Sequence, residues 1–561
     1  MNSRSRVTTG RCMKHVAFLL FPGAFLFSFL PPTTAHGCTS VLVSRGASVD
    51  GSVMTSWTYD VVGFMAPLHY YPGGEHAEGE TLKLYSFREN TYIGTVKQVR
   101  KTYKVVGNMN EKQVSIAETT FTGREELGGG NGFLDYGNLM YITLQRAGSA
   151  REAIRIMDWL AKEYGYSDTG ETFSIADKNE AWVVDFIGKG EHGKGAVWVA
   201  ARVPEGHIAA HANQARIRKV NWDDPEHWMW SDDVVEFARK MGWFSGPDRE
   251  FSFQDAYAPV TPRSLLLCES RVWSVFNQAA PSAEYPPDYW RCMKGAEPYP
   301  LFIKPDRKLS VQDVVAFHRD HFHGTPYYTG EGLLAGPYGN PYRWRPLFFK
   351  LEGDDTEYAL ERTVSQVQTA FSYITQARNW LPDPLGGVVW ASLDDTYSTV
   401  WMPMYLALNR VPPSLASGSP IEFSWDTAFW VFSLVNNFSY DMFNVVIKDI
   451  RAVQGELEER AFAMMPAIDK AAEFLASSNP SMMGEFLTTF SVDNAERVVQ
   501  RWRALAEHLF VKYNDRYRRE EMRIDSWPKG IGYPQEFLRK AVEERPGYYE
   551  VRWRQPGEKI D

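Results

Sequence analysis

The sequence predicts an α+β fold: antiparallel sheets covered by helices, followed by a mostly helical C-terminal region. Three observations carry this. Short apolar segments of strand length, several joined by hairpin-like loops, fill the first half of the chain. A capped amphipathic helix interrupts them, and from about Trp425 the apolar spacing becomes helical.

The elements follow in order. CTSVLV at 38–43 reads as a strand, a turn-rich stretch closes in Asp50-Gly51, and 52–59 (SVMTSWTY) alternates cleanly. Two strands around a DG-containing loop argue for a hairpin, which brings Asp60 near the start of the first strand. Further strands are expected at 114–119, 172–176, 181–187, 196–202 and 207–211. Ser149 and Glu152 form a capping-box pattern ahead of a stripe made by Ile154, Met157, Leu160 and Ala161. The stretch 265–350 is rich in Pro, Tyr and Trp and predicts short helices with long ordered loops. Strands return at 386–391 and 397–406, and helices are expected at 427–447, 449–463, 465–476, 491–513 and 533–544. This gives a leader at 1–37, a catalytic domain at 38–415 and a helical region at 416–561, with a boundary at Pro412-Pro413 and SLASGSP.

Hydrophobic residues make up 44% and charged residues 23% of the 561-residue chain, an ordinary globular composition. Formal net charge is -9, and beyond the first 37 residues 56 Lys+Arg stand against 69 Asp+Glu. An acidic chain without a long basic run gives nucleic acid no electrostatic footprint, so no nucleic-acid partner is expected.

The N-terminus is the most telling compositional feature. Met13-Lys14-His15 precedes an apolar run from Val16 to Leu30, then PPTTAHG. The run is too short to cross a bilayer comfortably, and it ends in small residues, as a signal peptide does. Export to the periplasm or beyond is the expectation, with signal peptidase as maturation partner and no stable membrane anchor. Of the four cysteines, Cys12, Cys38, Cys268 and Cys292, cleavage after Gly37 discards one. Three thiols in an exported protein is an odd number; Cys268 and Cys292 can pair and leave Cys38 free at the new N-terminus. A lipidated cysteine competes with that reading, but Thr34-Ala35-His36-Gly37 lacks the leucine such signals carry.

A thiol on the first residue has a partner no internal thiol has, its own α-amine. The two groups titrate close together, near 8.5 and 7.7–8.0. The amine accepts the thiol proton and returns it to a leaving nitrogen, so one residue holds nucleophile and base. Asp60 is the candidate for orienting that amine. Asn213, in HANQARI after a predicted strand, is the first candidate oxyanion donor, and Asn110, in GNMNEK, the second. Arg216 is a candidate for orienting Asn213 or engaging a substrate carboxylate. Each has a plainer reading, as a turn former or framework residue. The cluster His318, His321 and His323 lacks HExxH order, so no metal is expected, and no cofactor fingerprint is present. Asp394-Asp395 is adjacent on a strand-like stretch, which points the pair to opposite faces and argues against glycosidase chemistry.

At these residues the chain resembles the dipeptidase-A-like cysteine peptidases, N-terminal-nucleophile hydrolases related to penicillin V acylase and bile salt hydrolase. The matching stretches include CTSVLVSRGASVDGS at 38–52, NEKQVSIAETTFTGREEL at 110–127 and ETFSIADKNEAWVVDFIGKG at 171–190. They continue with VWVAARVPEGHIAAHANQARI at 197–217, SQVQTAFSYITQARNWLPDPLGGVVWASLDDTYSTVWMPMY at 365–405 and FSWDTAFWVFSLVNN at 423–437. The resemblance implies a four-layer αββα fold, Cys38 as nucleophile and base carrier, Asp60 and Asn213 as matching site residues, and hydrolysis of short peptides, chiefly dipeptides, through an acyl-enzyme. Many members carry an arginine three residues before the aspartate, where this chain has Trp57. The alternative function is an acylase cleaving an N-acyl or other non-peptide amide with the same residues. A noncatalytic, lipid-anchored envelope protein is the alternative from outside enzymology. Oligomeric state is not readable from the sequence.

Overall fold

The computed structural model describes residues 37–62, 64–65, 67–416 and 418–552; the leader expected at 1–37 lies, but for Gly37, outside the described residues. The fold is α+β with antiparallel sheets. Strand β1 (Gly37–Val43) and β2 (Val53–Asp60) form the expected hairpin. Its loop closes on an Asp side-chain turn: Asp50 Oδ1 accepts from the Ser52 amide at 3.0 Å and the Ser52 hydroxyl at 2.6 Å, and Gly51 takes a φ of +83°.

Strands β3 (Ser115–Phe121), β4 (Gly170–Ala176), β5 (Ala181–Gly188), β6 (Ala196–Arg202) and β7 (Ile208–His211) lie within two residues of their expected bounds. Strand β8 (Thr369–Ala377) is a central strand with no counterpart in the expected set. It enters between β2 and β9 (Gly387–Leu393), and β10 (Met402–Tyr405) closes that edge. Among the described residues the first sheet therefore runs β7-β1-β2-β8-β9-β10, and an eight-stranded second sheet has β6-β5-β4-β3 at its centre. The expected strand at 397–406 is shorter because Asp395 Oδ1 accepts from the Tyr397 and Ser398 amides and turns the chain there.

The two sheets face each other across buried polar contacts. His211 of β7 bonds the Thr119 hydroxyl of β3 and the Ser174 hydroxyl of β4, both at 2.7 Å, and Thr55 of β2 meets Ser115 of β3 at 3.1 Å. Helices α1 (Tyr136–Leu144) and α2 (Ala150–Tyr164) pack on the second sheet; α3 (Ser270–Ala279) and α4 (Val311–His318) pack on the first. Helix α2 is capped by the Ser149 hydroxyl accepting from the Glu152 amide, while Glu152 reaches back to the Gly148 amide rather than to Ser149.

The C-terminal region is helical, with fewer breaks than expected. Helix α5 (Ala428–Ser439) precedes α6 (Phe443–Ser478), which continues through Pro466, and α7 (Pro480–Lys512) starts about three turns before the expected 491. A proline removes one backbone hydrogen bond, and here packing of α6 along α7 and onto β10 outweighs that loss. Asn479 caps α7, with Pro480 at the position that lacks a donor anyway. One hydrophobic core joins Trp57 and Ile116 of the sheets to Phe432, Val446 and Trp502 of these helices.

Candidate active site

Cys38 is the second residue of β1, opposite Tyr59, and Gly37 stands opposite Asp60. The residue is buried, and every polar atom of it has an assigned neighbour. Its backbone N–H donates to Asn213 Oδ1 at 2.9 Å, and its carbonyl accepts from Arg271 Nη1 at 2.6 Å. The thiol lies 3.7 Å from Glu118 Oε1 of β3. Burial, and then the negative charges of Glu118 and Asp60, push the thiol well above its ordinary value. In this chain, with Gly37 still attached, the thiol is therefore held protonated, and its nitrogen is an amide that cannot act as base.

Asn213 sits two residues past β7 with φ of 68°, a left-handed conformation that asparagine tolerates. Its oxygen collects the Cys38 amide and Arg271 Nη2 at 2.8 Å, and its NH2 donates to the Thr120 carbonyl at 2.6 Å. The donors fix the amide's orientation, since a flipped amide would oppose all three contacts. Asn213 thus reaches Cys38 with its acceptor, where the sequence pointed to a donor.

Asp60 ends β2 fully buried. Gln366 Nε2 donates to Oδ2 at 2.9 Å and the Thr369 hydroxyl to Oδ1 at 2.7 Å. A register shift in β8 between Thr369 and Phe371 aims that hydroxyl at the carboxylate. Burial raises the Asp60 carboxyl to about 6, against the lowering effects of Thr369, Arg362 and Arg271.

Arg271 was not among the sequence candidates. It is fully buried on α3, and five bonds engage its guanidinium: to Leu267 O, Cys38 O, Thr39 Oγ1, Ala212 O and Asn213 Oδ1. It ties the first strand to the Asn213 turn. The signal in the sequence is an arginine on the stripe Arg271, Val275, Ala279, the face that packs inward. Glu118 was likewise missed, being the one charged residue in the strand SIAETTF with no motif around it.

Two expected residues are not brought to Cys38. Asn110 is a framework residue: its NH2 donates to Leu144 O and Ala147 O, and its oxygen accepts from the Lys112 and Val114 amides. Arg216 pairs with Glu269 at 3.2 Å and donates to the carbonyls of Ala210, Tyr299 and Pro300, so each nitrogen of its guanidinium is engaged by the framework. The pairing of Cys268 with Cys292 is also corrected: both are free thiols, Cys268 buried against the Asn213 carbonyl at 3.4 Å and Cys292 exposed. Asp395 is occupied by the hydroxyls of Tyr342 and Tyr440, and Asp394 by Asn436.

A cavity of about 530 Å³ opens beside Asp60, lined in part by Val61, Phe64, Arg345, Gln368 and Thr369. Its size suits a small ligand. Thr369 is shared between its wall and the Asp60 carboxylate, and Cys38 is not among the residues that line it.

The sequence matches peptidase family C69 over residues 75–456. The chain belongs to peptidase family C69. As a C69 peptidase it is a hydrolase of peptide bonds. The matched span contains Glu118, Asn213 and Arg271 and begins after Cys38 and Asp60. Among similar proteins is a probable dipeptidase of Latilactobacillus sakei, 25% identical over 458 residues, 78% of this chain and 88% of the relative. A probable dipeptidase of Salmonella dublin is 25% identical over 70% of this chain and 86% of its own. Dipeptidase A of Lactobacillus helveticus is 23% identical over 71% and 80%.

Proposed function

We propose that this C69 peptidase is an exported dipeptidase whose nucleophile is Cys38, exposed as the mature N-terminus when residues 1–37 are removed. The observation that carries the reading is the holding of the residue-38 nitrogen. Asn213 Oδ1, itself fixed by Arg271, accepts from that nitrogen at 2.9 Å, next to a thiol whose hydrogen-bond partner among the described residues is a carboxylate and not a nitrogen base. Cleavage would turn the amide into an amine in a prepared acceptor site, with Asp60 paired opposite Gly37. The thiol proton then passes to the amine, the thiolate adds to the peptide carbonyl, and the C-terminal amino acid leaves with that proton. Water hydrolyses the thioester and restores the thiol. Names of the similar dipeptidases support the substrate class, and the facing antiparallel sheets with flanking helices agree with an αββα N-terminal-nucleophile fold. An acylase acting on N-acyl amides would use the same residues.

The test pairs mass spectrometry of the secreted N-terminus with peptide hydrolysis. The expected outcome is a free Cys38 amine, activity in that form, and loss of roughly 10³-fold or more in Cys38→Ser or in a protein bearing Met before Cys38. Full activity with the nitrogen lipidated or peptide-bonded would sink the proposal.

A further inference from the structure

The charges around Cys38 are segregated. On the side of the residue that precedes it, Arg362 is 4% exposed, with Nε on Gln366 Oε1 at 2.9 Å and Nη2 without a hydrogen-bond partner among the described residues. That Nη2 lies against Gly37: a β-carbon added to Gly37 would fall 1.2 Å from it. Arg345, on the cavity wall, donates to the same Gln366 oxygen at 3.3 Å. Among the described residues neither arginine forms an ion pair; the nearby acid, Asp60, is reached through the Gln366 amide. Arg271, the third guanidinium here, is fully engaged with five oxygens. A buried guanidinium with a free donor, whose nearest acid it meets only through Gln366, is incompletely paired as it stands, because desolvation is offset best by a directly paired anion.

On the other side of the thiol the sign reverses. Glu118 Oε1 is 3.7 Å from Sγ, and Glu171, diagonal to it across the β3–β4 pair, is fully buried beside it. With Asp168, these carboxyls face one cation, Arg88, which sits 3.8 Å from Asp168.

Resting on the dipeptidase reading above, we propose that the site reads its substrate as a zwitterion. Arg362, assisted by Arg345, takes the C-terminal carboxylate, and Glu118, backed by Glu171, takes the α-ammonium of a dipeptide lying across Cys38. The chemistry fixes the direction. The base on Cys38 must hand its proton to the leaving nitrogen, so the leaving residue, with its carboxylate, lies on the amine side, where Gly37 rests against Arg362 before cleavage. The acyl residue, with its ammonium two bonds from the attacked carbon, lies on the thiol side, toward Glu118. Lengthening the substrate by one residue at either end displaces a terminal charge by about 3.5 Å, out of reach of its partner.

The experiment measures kcat/KM of the mature protein on L-Ala-L-Ala, its C-terminal amide and its N-acetyl derivative. The wild type is expected to prefer the unblocked dipeptide by about 100-fold over each blocked form. In Arg362→Gln the acid-over-amide preference should fall below about threefold, with Arg362→Lys in between, while the preference for a free amine persists. Glu118→Gln should do the converse. Wild-type rates on the amide or N-acetyl substrate within threefold of the parent would overturn the proposal while leaving the dipeptidase reading intact. So would variants that lower all three substrates in equal proportion. Cleavage of N-acyl amino acids with no turnover of any dipeptide would overturn both.

Discussion

Asp60→Asn separates what the carboxylate does for activity from what it does to stability. The carboxyl is fully buried and raised from 3.8 to about 6, chiefly by burial. The sign follows from linkage. A carboxyl whose value is higher in the folded than in the unfolded state favours folding below 3.8, and that contribution is lost as pH rises through about 6. The difference corresponds to roughly 3 kcal/mol of destabilisation at neutral pH. Asparagine removes the charge without opening a cavity, and its amide has partners available. Its oxygen can accept from Gln366 Nε2, while its NH2 can donate to Thr369 Oγ1, whose proton then turns to Gln366 O at 3.0 Å. The assay is urea unfolding of unprocessed wild type and Asp60→Asn, both with Gly37 before Cys38, between pH 4 and 8. The mutant should gain on the wild type by about 3 kcal/mol across that range, with most of the gain complete by pH 7. In the mature protein the same substitution should lower kcat/KM by about 10² or more. Parallel pH profiles for the two proteins would refute the argument that Asp60 is held at an unfavourable charge.

Arg271→Met should destabilise the protein by about 3–5 kcal/mol, because five oxygens lose a charged donor at once; denaturant midpoints of wild type and mutant check this. Asn110→Ala should cost about 2–4 kcal/mol of stability through four lost backbone contacts, with kcat/KM on a dipeptide unchanged in the folded fraction; a selective loss of activity would return Asn110 to the site. Iodoacetamide should label exposed Cys292 in the native protein and Cys268 only after unfolding, and intact mass without reductant should show no loss of two hydrogens.

What the sequence determined by itself is local. The β1–β2 hairpin follows from alternation and an Asp-Gly turn, the helix after Ser149 from its cap and stripe, and the interest of Cys38 from its place just after the expected leader. Those signals act within about fifteen residues, and the backbone obeys them. The tertiary structure decided the rest. Strand β8 lies 309 residues from its Asp60 partner at Thr369, and no local pattern specifies which strands become neighbours in a sheet. Arg271 meets Cys38 and Arg362 meets Gly37 from segments outside the expected strands, while Asn110 and Arg216, chosen from motif position, direct their side-chain donors to the framework. A polar side chain's role depends on which buried partners desolvate it and which satisfy it, and those partners come from distant parts of the chain.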